Sequence, residues 1–263
     1  MSRPKTDIRL LAWHDLPAAI GLLTRLPVAL PETVALRAAQ AAWAYPLAGA
    51  VVGGLVAAAA WAALAAGLAP VVVAGLALAL QAMITGGLHE DGLADCADGF
   101  WGGWTRERRL EIMKDSHIGT YGVLALLCVG GLRWAALGVL LGAALAPATL
   151  VAALVACAMA SRAVMPVLMV ALPNARGSGL SASVGQPRHA TAVLAVLLAG
   201  CAAIALMGPG PALWVLGAAA LGAVVVARLA RAKIGGQTGD VLGASQQISE
   251  LCILLALSAV LAG

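Results

Sequence analysis

Long runs of apolar residues constrain this chain more than any other feature. A helix that crosses a bilayer needs about 20 consecutive, mostly apolar residues, and seven such runs follow one another along the 263 residues. They cover residues 39–66, 70–88, 118–142, 147–172, 190–207, 211–230 and 247–262. Because lipid offers no hydrogen bonds to the backbone, runs of this length must form helices. The sequence therefore predicts an all-α, polytopic membrane bundle of about seven transmembrane helices.

Composition supports a chain that folds in lipid. Charged residues make up 11% of the sequence, against roughly 25% in soluble domains, and the 31 glycines would let helix backbones approach closely. The five cysteines lie singly, without a CxxC pair, and are expected to be packing residues. We expect membrane lipid to surround the protein and no nucleic acid to bind it, and a homo-oligomer is left open.

The basic residues indicate the sidedness of the bundle. Four segments hold 14 of the 16 Lys and Arg residues, namely 1–37, 89–117, 173–189 and 228–246. These segments alternate with three uncharged breaks between the apolar runs, so the positive-inside rule places them and the N-terminus in the cytoplasm and the C-terminus outside. Residues 1–263 are predicted to form one membrane domain without a cleaved signal peptide. Residues 8–30 fit either an amphipathic interfacial helix or a short buried arm.

Acidic residues concentrate in the motif at residues 86–122. If this stretch continues the second spanning helix, Asp91, Asp95 and Asp98 share one face at i, i+4 and i+7. Three carboxylates there repel one another unless a divalent cation binds them, and hard oxygen ligands suit Mg²⁺ or Mn²⁺. The alternative is a solvated acidic helix end. Ionisable groups beside a membrane span are costly and usually functional, which favours the metal site.

Titratable and basic residues flank these aspartates. His89 is a candidate proton acceptor or phosphate donor, or a structural residue. A basic cluster that could hold a phosphate consists of Arg106, Arg108, Arg109 and Lys114, although topological anchoring explains such cations without any substrate. Asp115 either caps the next spanning helix or reaches the metal. Glu90 lies off the shared face and is left without a role.

A second motif, residues 234–250, places Asp240 at the mouth of the last span. There it could serve as a metal ligand, a general base or a helix cap. Gln246 and Glu250 share a face at i, i+4 and could line the same cavity or satisfy a neighbouring helix. Gln237, in the same motif, is a candidate substrate-binding residue.

Three arginines lie in or beside apolar runs. Arg162 stands within a run, where a charge should face a partner or a water-filled cavity. Arg133 lies nearer the outer end of its run and is expected to snorkel to the interface. Arg176, in a loop rich in Gly and Ser, is either substrate-facing or an anchor.

Three stretches together resemble one family. HEDGLADCADG, RLEIMKDSHIGTYG and GGQTGDVLGA closely resemble the motifs of the cobalamin synthase family, adenosylcobinamide-GDP ribazoletransferase. Weaker similarity extends in order over almost the whole chain. The family often carries an apolar residue at the position of Glu90, which argues against Glu90 as an essential ligand.

The resemblance implies a reaction and a set of roles. Adenosylcobinamide-GDP and α-ribazole or its 5′-phosphate would react with Mg²⁺ as cofactor, releasing GMP and forming adenosylcobalamin or its phosphate. Asp91, Asp95 and Asp98 would hold the metal, and Asp240 or His89 would accept the proton. The candidate catalytic set is His89, Asp115 and Asp240, and the candidate substrate-binding set is Arg106, Arg109, Lys114, Arg162, Arg176 and Gln237. The enzyme would lie in the bacterial inner membrane with its active site facing the cytoplasm.

Two other functions remain open at this point. CDP-alcohol phosphotransferases share the Asp-Gly-x-x-Ala stretch, but they carry arginine where this chain has Asp95, and their later aspartates are missing here. A transporter could use the acidic face to carry protons or cations. The carboxylates cluster at one face, however, and the chain shows no inverted repeat.

Overall fold

The computed structural model describes residues 10–29, 37–143 and 145–261, and these residues form helices and connecting loops without a strand. The all-α prediction is confirmed. The helices are α1 (Asp15–Leu23), α2 (Tyr45–Ala65), α3 (Pro70–Thr85), α4 (Leu88–Gly102), α5 (Arg106–Ile112), α6 (Thr120–Gly142), α7 (Pro147–Ala171), α8 (Leu180–Val184), α9 (His189–Met207), α10 (Pro209–Ile234) and α11 (Gly239–Leu261). A short 3-10 turn, Gln40–Ala44, leads directly into α2.

Six of these helices are long and apolar enough to cross a membrane, and α3 with α4 forms a seventh candidate that is sharply bent. The prediction of about seven spans is thus confirmed. The last two differ from the predicted bounds, because α10 continues to Ile234 and α11 begins at Gly239, so each span includes part of the second motif. The first motif is not part of a straight span.

The break between α3 and α4 depends on two glycines. Gly86 and Gly87 have φ angles of +65° and +70°, which glycine adopts without steric cost, and the two helix axes differ by 91°. A Cβ on Gly86 would also clash with the side chain of Arg25. α4 is therefore a separate helix rather than a continuation of α3. It is nevertheless continuous through the three aspartates, so their i, i+4 and i+7 spacing is retained.

Helix α7 lies at the centre of the bundle, packed against α2, α9, α10 and α11. Its closest approach is to α2, where a Cβ on Gly53 would lie 2.9 Å from the Ala158 Cβ, and one on Gly49 would overlap the backbone of Ala158. Small residues that let helix backbones touch provide much of the packing in membrane bundles. This central contact explains why the chain needs so many alanines and glycines.

Residues 8–30 contain only one helix, α1, and residues 8, 9 and 30 lie outside the described part. Asp15 is fully buried and accepts hydrogen bonds from Arg37 Nε at 3.0 Å and Trp43 Nε1 at 2.8 Å. Burial raises the pKa of Asp15, but these hydrogen bonds outweigh it and hold the pKa below its usual range. These hydrogen bonds hold α1 against the segment that leads into α2. For the described part of residues 8–30 they favour the buried arm over the interfacial helix.

Candidate functional site

The two motifs meet where α4 crosses α11. A Cβ on Gly92 would lie 2.7 Å from the Asp240 carbonyl oxygen, and one on Gly243 would lie 3.2 Å from the Leu88 carbonyl oxygen. Only glycine allows backbones to approach this closely. The crossing brings the start of the acidic helix beside Asp240, more than a hundred residues further along the chain.

The loop after α7 joins the same place. The Gln237 N–H donates to the Pro173 carbonyl at 2.8 Å, and the Ala175 N–H donates to the Gln237 carbonyl at 2.8 Å. The Gln237 side chain is buried and accepts a hydrogen bond from Ser181 Oγ at 2.6 Å. Gln237, predicted to bind substrate, therefore supports the loop that carries Arg176.

A cavity of about 260 Å³ lies between these segments and helices α1, α2 and α7. Four of the predicted site residues line it, namely His89, Asp91, Arg176 and Asp240. Their polar neighbours on the lining are Asn174, Ser178, Ser181 and Thr238. The structure thus gathers acid, base and cation at one concave site, which is the usual form of a small-molecule site.

Asp240 is the most connected carboxylate of the cavity. Its Oδ2 lies 3.1 Å from Arg176 Nη1 and accepts a hydrogen bond from Thr238 Oγ1 at 3.1 Å. Asp91 and Asp240 both lie near enough to Asp95 to repel its charged form. These carboxylates repel one another, and Arg176 is the cation beside them. Binding of a further cation would reduce this repulsion.

His89 has a distinctive environment. Its side chain is 1% exposed and lines the cavity, and neither ring nitrogen has a hydrogen-bond partner among the described residues. A buried polar group without a partner costs free energy, of the order of 1–3 kcal/mol. A ligand or water in the cavity that bonds His89 would recover this cost.

Asp98, predicted as a metal ligand, caps the start of α6. Its carboxylate accepts hydrogen bonds from the Gly119 N–H at 2.7 Å and the Gly122 N–H at 2.9 Å. A Cβ on either glycine would overlap that carboxylate. Its role as a metal ligand stays a prediction. Within the described ranges, no three His, Cys, Asp or Glu side chains are arranged to hold a metal ion.

Asp115 does not cap α6, so that alternative is wrong: the helix begins at Thr120 with Gly119 as its N-cap residue, and the N–H groups of Gly119 and Gly122 donate to Asp98 instead. Asp115 is exposed and accepts hydrogen bonds from the ring and backbone of His117, which lower its pKa. It lies outside the described residues that line the cavity. A catalytic role for Asp115 remains a prediction.

The basic cluster is largely engaged with the backbone. Arg106 donates to the Ile234 carbonyl at 2.9 Å and to the Ala175 carbonyl at 2.8 Å. Arg109 donates to the carbonyls of Gly103 at 2.9 Å and Lys233 at 3.0 Å. Both guanidinium groups thus hold α5 against the end of α10. Phosphate binding by this cluster stays a prediction, and Arg106 and Lys114 are both exposed.

Sequence reasoning identified only part of a buried polar network in the centre of the bundle: Gln246 and Glu250 do satisfy neighbouring helices, but their partners were not predicted. Glu250 accepts hydrogen bonds from Gln81 Nε2 at 2.8 Å, Arg133 Nη2 at 2.5 Å and Gln246 Nε2 at 2.5 Å. The expectation that Arg133 snorkels is wrong, because its side chain is 5% exposed and pairs with Glu250. Gln81, a lone amide in an apolar run, is the sequence signal that could have predicted an interhelical partner.

Glu90 joins this network through hydrogen bonds and charge, and Arg162 joins it through its charge, which lies near Glu250 and Glu90. Glu90 Oε1 accepts a hydrogen bond from Gln247 Nε2 at 3.0 Å and lies 3.7 Å from Arg133 Nη1. Arg162 is fully buried, with Nη1 bonded to its own helix and with Nε and Nη2 unpartnered among the described residues. Two glutamates and two arginines balance in charge, which makes their burial tolerable. Arg162 does not line the cavity described above, and its phosphate role stays a prediction.

Together the fold and the site define an integral membrane protein of packed helices, with a polar cavity at the crossing of two of them. The model of the Cobalamin-5-phosphate synthase family matches residues 15–258, which include both motifs and extend into the last spanning helix. The chain therefore belongs to this family.

Curated relatives agree over the same length. An adenosylcobinamide-GDP ribazoletransferase of Bradyrhizobium diazoefficiens is 48% identical, with 93% of each chain covered. Enzymes of the same name from Azorhizobium caulinodans and Rhizobium etli are 44% and 42% identical, with 94% of this chain and 95% and 97% of theirs covered. No solved structure matches the chain.

Proposed function

We propose that the chain is an adenosylcobinamide-GDP ribazoletransferase, which joins α-ribazole or its 5′-phosphate to the cobinamide phosphate and releases GMP. One observation carries the proposal. The crossing of α4 and α11 places His89, Asp91, Asp240 and, through the adjoining loop, Arg176 around a single cavity. Family membership and the relatives' shared name support the choice of substrates.

The residues of the cavity fit the reaction. A ribose hydroxyl of ribazole would attack the phosphorus bonded to cobinamide, and the bond from that phosphorus to the GMP oxygen would break. Asp240 or His89 would accept the hydroxyl proton, since both line the cavity and both can act as general bases. Arg176 would leave Asp240 to bind a phosphate oxygen, because a charge-assisted bond to phosphate is a strong alternative for a guanidinium.

We propose Mg²⁺ as the cofactor, held by Asp91 and Asp240 with Asp95 beside them. Magnesium is commonly bound by one or two carboxylates, with water and substrate phosphates completing its shell. Two cavity carboxylates therefore fit, although no three-residue protein site occurs among the described residues. When bound, the ion would neutralise charge on the pyrophosphate. Asp98 would contribute only through the lone pairs that α6 leaves free.

We also propose that the protein lies in the bacterial inner membrane with the cavity facing the cytoplasm. The cavity is built from α4, the loop after α7 and the start of α11, which belong to the segments richest in Lys and Arg. Those segments are the ones that the positive-inside rule retains in the cytoplasm.

The test is GMP release by the detergent-purified protein given adenosylcobinamide-GDP and α-ribazole 5′-phosphate, with Mg²⁺ or with EDTA. We expect GMP and cobalamin phosphate only with Mg²⁺. Asp91→Asn and Asp240→Asn should each lower kcat by about 100-fold or more, whereas Glu111→Gln, an exposed control on α5, should not. Release of CMP from a CDP-lipid would instead favour an alcohol phosphotransferase, and a folded protein without product would favour a transporter.

A further inference from the structure

The cavity has two unlike walls. Helix α1 packs on α2, and α2 packs on α7; together they supply an aliphatic, thioether and aromatic surface, called here the apolar wall. It consists of Leu22, Leu23, Tyr45, Met165 and Met169. Helices α4 and α11, packed on each other, and the loop after α7 supply the charged residues of the lining, Asp91, Arg176 and Asp240, with the aliphatic Leu88 and Leu242 beside them. A molecule that fills the cavity therefore meets an apolar surface from α1, α2 and α7 and charged groups from α4, α11 and the loop.

Size limits what can enter. The volume of about 260 Å³ lies just below the range of about 300–1,000 Å³ that is usual for sites of drug-sized ligands. A cavity of this volume can hold one nucleoside. A corrin macrocycle with its amide side chains is far larger and must stay outside the cavity, so the choice lies between the guanine nucleoside and the ribazole.

Polarity decides between these two nucleosides. Guanine carries hydrogen-bond donors and acceptors around most of its edge, and burying them against the apolar wall would leave them unpaired at a cost of about 1–3 kcal/mol each. The ribazole base is a flat benzimidazole with two methyl groups, which gains from contact with apolar side chains. Methionine side chains such as Met165 and Met169 adapt well to flat rings.

We infer that the apolar wall binds the base of the ribazole, with its ribose turned toward Asp91, His89 and Asp240. This inference rests on the proposed function and adds which substrate occupies the cavity. The acceptor nucleoside lies inside, its hydroxyl faces Asp91 and Asp240, and the corrinoid stays at the mouth of the cavity.

Wild-type protein provides the first test. GMP release is measured with α-ribazole, with the analogue that lacks both methyl groups and with an α-riboside of adenine, at saturating adenosylcobinamide-GDP. We expect KM to rise about 100-fold when both methyl groups are removed, since each such group in an apolar pocket is worth about 10-fold or more. The adenine compound should bind more weakly still. Equal KM values for the three acceptors would overturn the inference.

A matched pair of variants on α7 provides the second test. Met169→Gln adds an amide to the apolar wall, whereas Met159→Gln makes the same change at a buried position of α7 outside the described cavity lining. We expect Met169→Gln to raise KM for α-ribazole about tenfold with KM for adenosylcobinamide-GDP unchanged, and Met159→Gln to change neither KM.

The outcomes separate this inference from the proposed function. A raised KM for adenosylcobinamide-GDP in Met169→Gln would place the other substrate on the apolar wall, and identical behaviour of the two variants would show an effect on folding alone; either result overturns the inference. If Met169→Gln does not fold, the wild-type acceptor series decides. Absence of GMP release by wild-type protein would contradict the proposed function itself.

Discussion

At the scale of single residues, the same type of side chain serves opposite purposes in this protein. Asp240 and Asp98 are both carboxylates beside glycines in a motif, yet one faces a cavity and the other caps a helix. Of the two arginines Arg176 and Arg106, the first lines the cavity and the second bonds backbone carbonyls of neighbouring segments. Spacing along the chain could identify all four as candidates, but it could not separate them, because the difference lies in what each side chain contacts across the bundle.

Arg106 offers a test of this distinction. Its guanidinium joins the carbonyls of Ala175 and Ile234, which flank the segments that carry Arg176 and Asp240. Lysine keeps the charge but not the planar fork that reaches two carbonyls. We therefore expect Arg106→Lys to lower kcat about tenfold while KM for adenosylcobinamide-GDP stays unchanged, measured by GMP release.

The control for Arg106→Lys is the same change at the next arginine. Arg108→Lys alters an exposed side chain that pairs with Glu111 on its own helix, and it should retain wild-type kcat. A raised KM in Arg106→Ala that lysine restores would instead identify Arg106 as a phosphate contact.

At the scale of helices, the site depends on how closely α4 and α11 approach. Gly92→Ala would put a methyl group 2.7 Å from the Asp240 carbonyl oxygen, and overpacking of this kind costs typically 1–3 kcal/mol. We expect a lower unfolding temperature in detergent together with lost activity. Gly130→Ala, in the middle of α6 with nothing within 4 Å, should be neutral or stabilising; equal effects of the two changes would show that the crossing is not tight.

The buried network gives a second prediction at this scale. Arg133→Met or Glu250→Gln alone leaves a buried charge without its partner, which costs about 3–5 kcal/mol. The double variant should lose less free energy of unfolding than the sum of the single losses, as measured by a double-mutant cycle.

The exposed pair Arg108 and Glu111, at 3.1 Å on α5, is the comparison for that cycle. Exposed ion pairs contribute about 0–1 kcal/mol, so its coupling should be small. Additive losses for Arg133 and Glu250 would mean that the two residues stabilise the bundle independently and not as a coupled pair.

At the scale of the whole molecule, hydrogen bonds and packing join the four segments rich in Lys and Arg. Arg106 links the second, third and fourth segments, and the Arg25 N–H donates to the Ile84 carbonyl at 2.7 Å, which ties the described part of the first segment to the end of α3, just before the second segment. The described residues of the four segments are therefore joined on one side of the bundle, as the charge pattern predicts. Which compartment that side faces stays a proposal.

Cysteine labelling in intact cells tests the orientation. A membrane-impermeant maleimide should label Leu68→Cys and Ala146→Cys, in the uncharged loops, but should label Glu111→Cys and Arg231→Cys only after the membrane is opened. Wild-type protein, with five native cysteines, sets the background. The reverse pattern would contradict a cytoplasmic cavity.

The sequence by itself determined the all-α class, the approximate number of spanning helices and the grouping of the charged segments at one end of the bundle. These properties follow from local runs of apolar residues and from the distribution of Lys and Arg, because lipid excludes an unpaired backbone and charge. Both motifs could also be located, since carboxylates beside a span are rarely accidental.

Only the tertiary structure decided which residues of the motifs share the cavity. Helical spacing shows that Asp91, Asp95 and Asp98 lie near one face, but not that α6 covers one end of that face and α11 the other. The pairing of Arg133 with Glu250 likewise joins residues on different helices, 117 positions apart. Such contacts depend on where helices cross, and glycines such as Gly92 and Gly243 permit these crossings. The local sequence of a helix does not predict which other helix will pack against its polar face.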